Sequence, residues 1–182
     1  MMSAHHVAAE LRRRIPGLPI KKLHKLLYYC QGHYLATFDE PMFRETISAY
    51  DMGPLVAKLW WAERNGEIPD PTPIEVESLL NTIGYVVSRY GALSGRDLEN
   101  LTHSEAPWQR ADTHRRPGES VRIELDWIKE YFRFAAADDE GNEPALDSNA
   151  LTAWLRGAGS VLPTDPAFDS RDELLARLAA RG

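Results

Sequence analysis

Cysteine is almost missing from this chain, with one residue, Cys30, in 182. A single thiol excludes an internal disulfide and any cysteine-based metal cluster. Long apolar runs are missing as well, since no window approaches the ~18 to 20 apolar residues that cross a bilayer. The opening stretch Met1–Arg14 carries His5, His6, Glu10 and Arg12–Arg14 and has no secretory-type apolar core. Positive charge is in short supply: 21 lysines and arginines against 27 acidic residues leave a formal charge of -6. Such a chain has no broad electrostatic footprint for phosphate backbones, so neither nucleic acid nor membrane is an expected partner. There is no glycine-rich phosphate loop, internal repeat or low-complexity tract. What is present is ordinary globular composition, 43% apolar and 26% charged. The length suits one core, or one core with a short appendage. A cytoplasmic protein without a cofactor is expected.

Apolar periodicity predicts a mainly α fold, a compact helical domain around a central buried helix with a small β element. A first helix is expected from Ala4 to about Arg14, with Val7, Ala8, Leu11 and Ile15 on one stripe and Pro16-Gly17 as its stop. A second starts at Pro19, which suits a first helical turn. Ile20, Leu23, Leu27, Cys30 and Tyr34 recur at spacings of 3 and 4, and Leu26, Tyr28, Tyr29 and Leu35 add apolar surface on other sides. A helix apolar nearly all round is a buried one. Its charged start, Lys21, Lys22 and Lys25, is expected at the surface.

Thr46–Tyr50 suggests a short strand. Gly53-Pro54 is expected to open a third helix, Pro54 to about Arg64, stopped by Asn65-Gly66. After a stiff loop at Pro69, Pro71 and Pro73, Thr72-Pro73-Ile74-Glu75 looks like a capping box. The helix it starts carries Val76, Leu79, Leu80, Ile83, Val86, Val87 and Tyr90 and stops at Gly91. Ser94–Asp97 caps a short helix with Leu98 and Leu101, and Pro107-Trp108 begins another turn. Val121–Ile123 suggests a second strand and Leu125–Ala136 a further helix. Asp138–Pro144 is the expected linker. Beyond it lie two short helical patterns, about Asp147–Arg156 and Arg171–Ala180, the second with a capping box at Ser170 and Glu173. The main domain is placed at 4–137 and an appendage at 138–182.

Candidate chemistry is sparse. His103 and Glu105 form a conceivable acid–base pair, but they lie two residues apart with no nucleophile motif beside them. Thr102, His103 and Glu105 are better read as satisfying backbone groups at a helix end. His5, His6, His24, His33 and His114 show no metal-ligand spacing, so no metal is expected.

Three segments, in order, resemble the Panacea domain of the SocA-like antitoxin family. They are Leu23-His24-Lys25-Leu26-Leu27-Tyr28-Tyr29-Cys30-Gln31-Gly32, Ala49-Tyr50-Asp51-Met52-Gly53-Pro54-Leu55-Val56, and Leu101-Thr102-His103-Ser104-Glu105-Ala106-Pro107-Trp108. The residues that carry the resemblance are Lys25, Leu26, Tyr28, Tyr29, Gly53, Pro54, Thr102, His103, Glu105, Pro107 and Trp108. His24, Tyr50 and Leu55 depart from the usual pattern. The resemblance implies an antitoxin, mainly helical with a small sheet, that neutralises a toxin by direct contact in a toxin–antitoxin system. It further implies a toxin such as a small alarmone-synthetase-like protein or another that targets translation. One branch of the family implies an alternative, an adaptor that delivers its toxin to a protease. A small hydrolase using His103 and Glu105 is the alternative of a different class. Within the expected third helix Trp60 belongs to the core-facing stripe, whereas Trp61 points away from it and is the candidate partner anchor. Lys58 and Arg64 would form its rim, and Lys21, Lys22 and Lys25 a second candidate contact.

Overall fold

The structure, a computed structural model, describes residues 2–67 and 73–142, with side chains up to residue 136. The chain divides into two units, Met1–Glu140 and Gly141–Gly182. The first unit is mainly helical, with seven helices and three short strands among the described residues.

Helix α1 (Ala4–Arg14) buries Ala4, Val7, Ala8 and Leu11, one stripe at helical spacing. Its basic last turn, Arg12 to Arg14, faces the negative end of the helix dipole, and Arg13 and Arg14 both pair with Glu10. Helix α2 (Ile20–Phe38) is the centre of the fold. Every residue from Leu23 to Gly32 is buried, including Leu23, Leu27 and Cys30, as an all-round apolar helix requires. It ends at Asp39, whose left-handed backbone turns the chain away.

Strands β1 (Ile47–Tyr50) and β2 (Gly53–Val56) form an antiparallel hairpin that pairs Ile47 with Val56 and Tyr50 with Gly53. Here the expectation of one helix over 54–64 is corrected. Gly53, at φ +92, completes a tight reversal around Asp51-Met52, and Leu55-Val56 find ladder partners in β1. Helix α3 begins only at Ala57 and ends at Arg64. Pro54 fits an edge strand as readily as a helix start, because neither position needs its missing N–H.

Helix α4 (Glu77–Tyr90) starts later than the Pro73 signal suggests, with Pro73–Val76 non-helical and Ile74 buried from that segment. Thr72, the proposed cap, lies outside the described residues. Helix α5 (Gly95–Ser104) has the expected reciprocal box between Ser94 and Asp97. Helix α6 (Ala106–Asp112) stands where only a turn was expected, with Pro107 in its first turn. Strand β3 (Val121–Arg122) pairs antiparallel with β1, giving the sheet order β2-β1-β3. Helix α7 (Leu125–Asn142) buries Ile128 and Phe132 and runs into the expected linker. The rest of that linker and the patterns at 147–156 and 171–180 lie outside the described residues.

Helix α2 makes close contact with both ends of the fold. Gly32 gives the Phe132 ring direct access to the α2 backbone: a Cβ there would stand 2.3 Å from the ring. At the other end of the buried stretch, α2 closes the free edge of the sheet. The Val56 N–H donates to His24 Nδ1 at 3.3 Å, and Lys25 Nζ donates to the Pro54 carbonyl at 3.4 Å. Unpaired edge strands invite pairing with other chains, and these two side chains occupy the groups that would do so.

Candidate protein-binding site

The segments around Lys25, Gly53 and Thr102, far apart in the sequence, meet in space. Lys25 of α2 lies against Gly53, where an added Cβ would come within 2.8 Å of Lys25 Cε and 3.0 Å of Thr102 Oγ1. Positive φ and this crowding both demand glycine. The α5–α6 junction is fixed to the same hairpin: Trp108 Nε1 donates to the Tyr50 carbonyl at 3.3 Å. Arg115 ties the hairpin turn down from the other side through ion pairs to Asp51 and Asp112.

A groove of about 430 Å3 opens beside this junction, lined mainly by apolar atoms of Ile20, Tyr50, Met52, Leu55, Trp60 and Trp61. Its rim is exposed: Trp61 at 56%, Met52 at 50% and Ile20 at 38%. The two indoles meet edge to face with centroids 5.0 Å apart, and the Arg64 guanidinium covers Trp60. Lys21, His24 and Lys25 supply the polar part of the lining. Burial pushes the Lys25 ammonium down to about 8, with Glu99 opposing the shift and Lys21 adding to it. Burial also takes His24 down to about 3, helped by the charges of Lys25 and Arg12, so its ring is neutral at ordinary pH.

Behind the groove lies a buried polar cluster. Tyr29 donates its hydroxyl to Glu105 Oε1 at 2.8 Å and stacks on Tyr90. The Tyr28 hydroxyl acts on Glu105 as well, although neither it nor Glu105 Oε2 makes a hydrogen bond of good geometry. Burial raises the Glu105 carboxyl to about 7, against the lowering effect of Tyr28 and Tyr29. His103 does not join this cluster. Its ring stacks on Trp108 with centroids 4.0 Å apart, and burial lowers its pKa.

Residues 23–109 match the family model described as Antitoxin SocA-like, Panacea domain. This stretch, just under half of the chain, is similar to a Panacea domain. No curated protein and no solved structure matches the chain. The match covers Lys25, Gly53, Thr102 and Trp108 of the junction and the groove apart from Ile20 and Lys21, while Asp112 and Arg115 lie beyond it. Among the described residues, no helix is long and apolar enough to cross a membrane.

Several expected site residues fall elsewhere than the sequence suggests. Lys25 is 3% exposed and forms the groove floor, so the picture of a three-lysine surface cluster is corrected. Lys22 donates to the Gly91 carbonyl at 2.6 Å, where a cation satisfies the C-terminus of α4. Of the three, only Lys21 is exposed on the groove. Lys58 faces a different depression, with Ser3, His5 and Glu45. Trp60 is half-buried and shares the groove with Trp61, because α3 starts after the hairpin and both rings lean over it. His103 and Glu105 were expected to satisfy backbone groups at a helix end; instead one stacks on Trp108 and the other bonds to Tyr29. Thr102 does bond to backbone, at the Glu99 carbonyl.

Sequence reasoning misses Ile20, Met52 and His24 as groove residues. Met52 carries a usable signal, since a large apolar residue at the tip of a two-residue turn has no core within reach. Ile20 and His24 carry none without the hairpin that faces them.

Proposed function

We propose that this protein is an antitoxin that neutralises a cognate toxin by direct contact through the Trp60–Trp61 groove, in the cytoplasm and without catalysing a reaction. One observation carries the proposal: the matched segments buttress a groove whose rim leaves Trp61, Met52 and Ile20 in water. Tryptophan is a common anchor of protein interfaces, and a preformed apolar groove lined by it favours docking over turnover. The separation of His103 from Glu105 supports a non-catalytic role. The toxin to test first is the product of the neighbouring gene, with translation-targeting enzymes the class that the family resemblance implies.

Trp61→Ala is the direct test. The side chain is exposed, so the variant should melt like the parent. Its affinity for the toxin should fall ~30-fold or more, and rescue of growth on co-expression should weaken with it. His103→Ala should keep rescue. A normally folded Trp61→Ala chain that binds toxin with parental affinity would overturn the proposal. Toxin half-life in the same cells addresses adaptor behaviour: it should not shorten when the antitoxin is present.

A further inference from the structure

The floor of the groove holds more hydrogen-bond donors than the chain satisfies. Lys25 brings three N–H groups. Its hydrogen bond goes to the Pro54 carbonyl at a long 3.4 Å, and no carboxylate among the described residues forms an ion pair with it. Glu99 acts on it only through space. A buried cation normally has a paired anion, and this one does not. His24 adds a second donor. Its Nδ1 accepts from the Val56 N–H, which assigns the ring proton to Nε2, and Nε2 is buried with no partner. Lys21 stands exposed on the same groove. The opposite lining is apolar: Ile20, Met52, Leu55, Trp60 and Trp61.

We propose that the groove recognises a partner segment bearing an acidic side chain beside a large apolar one, with the carboxylate taken by Lys25 and the Nε2–H of His24 and the apolar neighbour laid against Trp60 and Trp61. This rests on the assignment of the groove as the toxin contact and adds the chemistry of what enters it. An inorganic or phosphoryl anion fits less well, because its oxygens point in all directions and much of the lining is hydrocarbon. Main-chain capture of a strand or chain end fits less well too. The Val56 N–H and the Pro54 carbonyl, which would receive it, are already held by His24 and Lys25. A side chain reaching down from a segment that crosses the rim avoids both conflicts. The net charge of -6 repels acidic proteins in general, so the attraction is confined to this groove.

The test uses the full chain, labelled so that the indole N–H signals of Trp60 and Trp61 are followed by NMR. The probes are three short peptides: an acetylated and amidated sequence with one glutamate between leucines, its glutamine twin, and that twin with a free C-terminal carboxylate. The glutamate peptide should move both indole signals and bind about tenfold more tightly than the glutamine twin, the size of a charge-assisted hydrogen bond. Lys25→Met should erase that difference while leaving the weaker apolar binding. Should Lys25→Met fail to fold, Trp61→Ala replaces it and should weaken the glutamate and amidated glutamine peptides alike. Equal binding of the glutamate and amidated glutamine peptides, indole signals that no peptide moves, or preference for the free C-terminus would each overturn the proposal. These outcomes are separable from the toxin assignment. Growth rescue that depends on Trp61 but shows no glutamate preference removes the carboxylate alone, whereas peptide binding without any rescue by the parent chain removes the toxin.

Discussion

Glu105 sits among Tyr28, Tyr29 and Tyr90 with one well-formed hydrogen bond to share its charge and no cation at hand. Folding therefore favours its protonated form, raising the pKa from 4.5 to about 7. A raised folded-state pKa means that the folded chain holds a proton the unfolded chain has released. The associated stability is complete below pH 4.5 and is lost as the pH climbs to about 7. The loss amounts to roughly 3 kcal/mol. His24 runs the other way between about pH 3 and 6.5, because its folded-state pKa is depressed. The informative quantity is thus the difference between the parent and Glu105→Gln, which keeps a neutral side chain of the same shape. In denaturant melts, glutamine should be near neutral at pH 4.5 and should gain on the parent steadily up to pH 7 or 8. A difference that stays flat over that range would place the carboxylate in a far wetter setting than the structure does.

At the scale of elements, what was legible in the sequence was local. The α1 stripe, the α2 periodicity from Leu23 to Leu35 and the Ser94–Asp97 box each need only neighbours three or four residues away, and each formed where expected. β2 was not legible. Four residues cannot distinguish a strand from a helix start by period, and what decides is the β1 partner across Asp51-Met52. Losing β2 in the sequence meant losing the groove, since β2 is what covers Lys25 and turns Trp60 and Trp61 to one side. Lysines in a run look like a solvated helix start; Lys25 is buried only because a distant hairpin reaches it. Gly32 is a similar case, reading as a minor flaw in a good helix. The structure makes it the contact with α7. In Gly32→Ala the added carbon would stand 2.3 to 2.6 Å from the Phe132 ring, which must move within a packed core. The variant should lose about 1–3 kcal/mol in denaturant melts, although alanine is the better helix former. Adding Phe132→Leu should make the two losses less than additive. Full additivity would show that Gly32 and Phe132 are not coupled.

For the molecule as a whole, the question is how much chain the fold requires. Every apolar side chain described as buried lies between Ala4 and Phe132, drawn from all seven helices, the hairpin and the connecting segments that carry Leu18, Met42, Phe43, Ile74 and Ile123. A stretch of ~140 residues is long enough to bury such a core without help. The groove belongs to the same stretch, from Ile20 to Trp61. Truncation belongs after Asn142 rather than at the expected boundary of 137, because α7 continues to that residue and an earlier cut removes its last turn. The shortened chain should melt in one cooperative step within about 5 °C of the full chain, a change of about 1 kcal/mol at this size. Under the proposed antitoxin role it should also keep a Trp61-dependent contact with the toxin, because the groove and the helices beneath it are intact. Measured side by side, melting and toxin affinity separate two failures. A truncated chain that does not fold assigns residues 143–182 to stability, and one that folds but no longer binds assigns them to the interface, extending it beyond the groove.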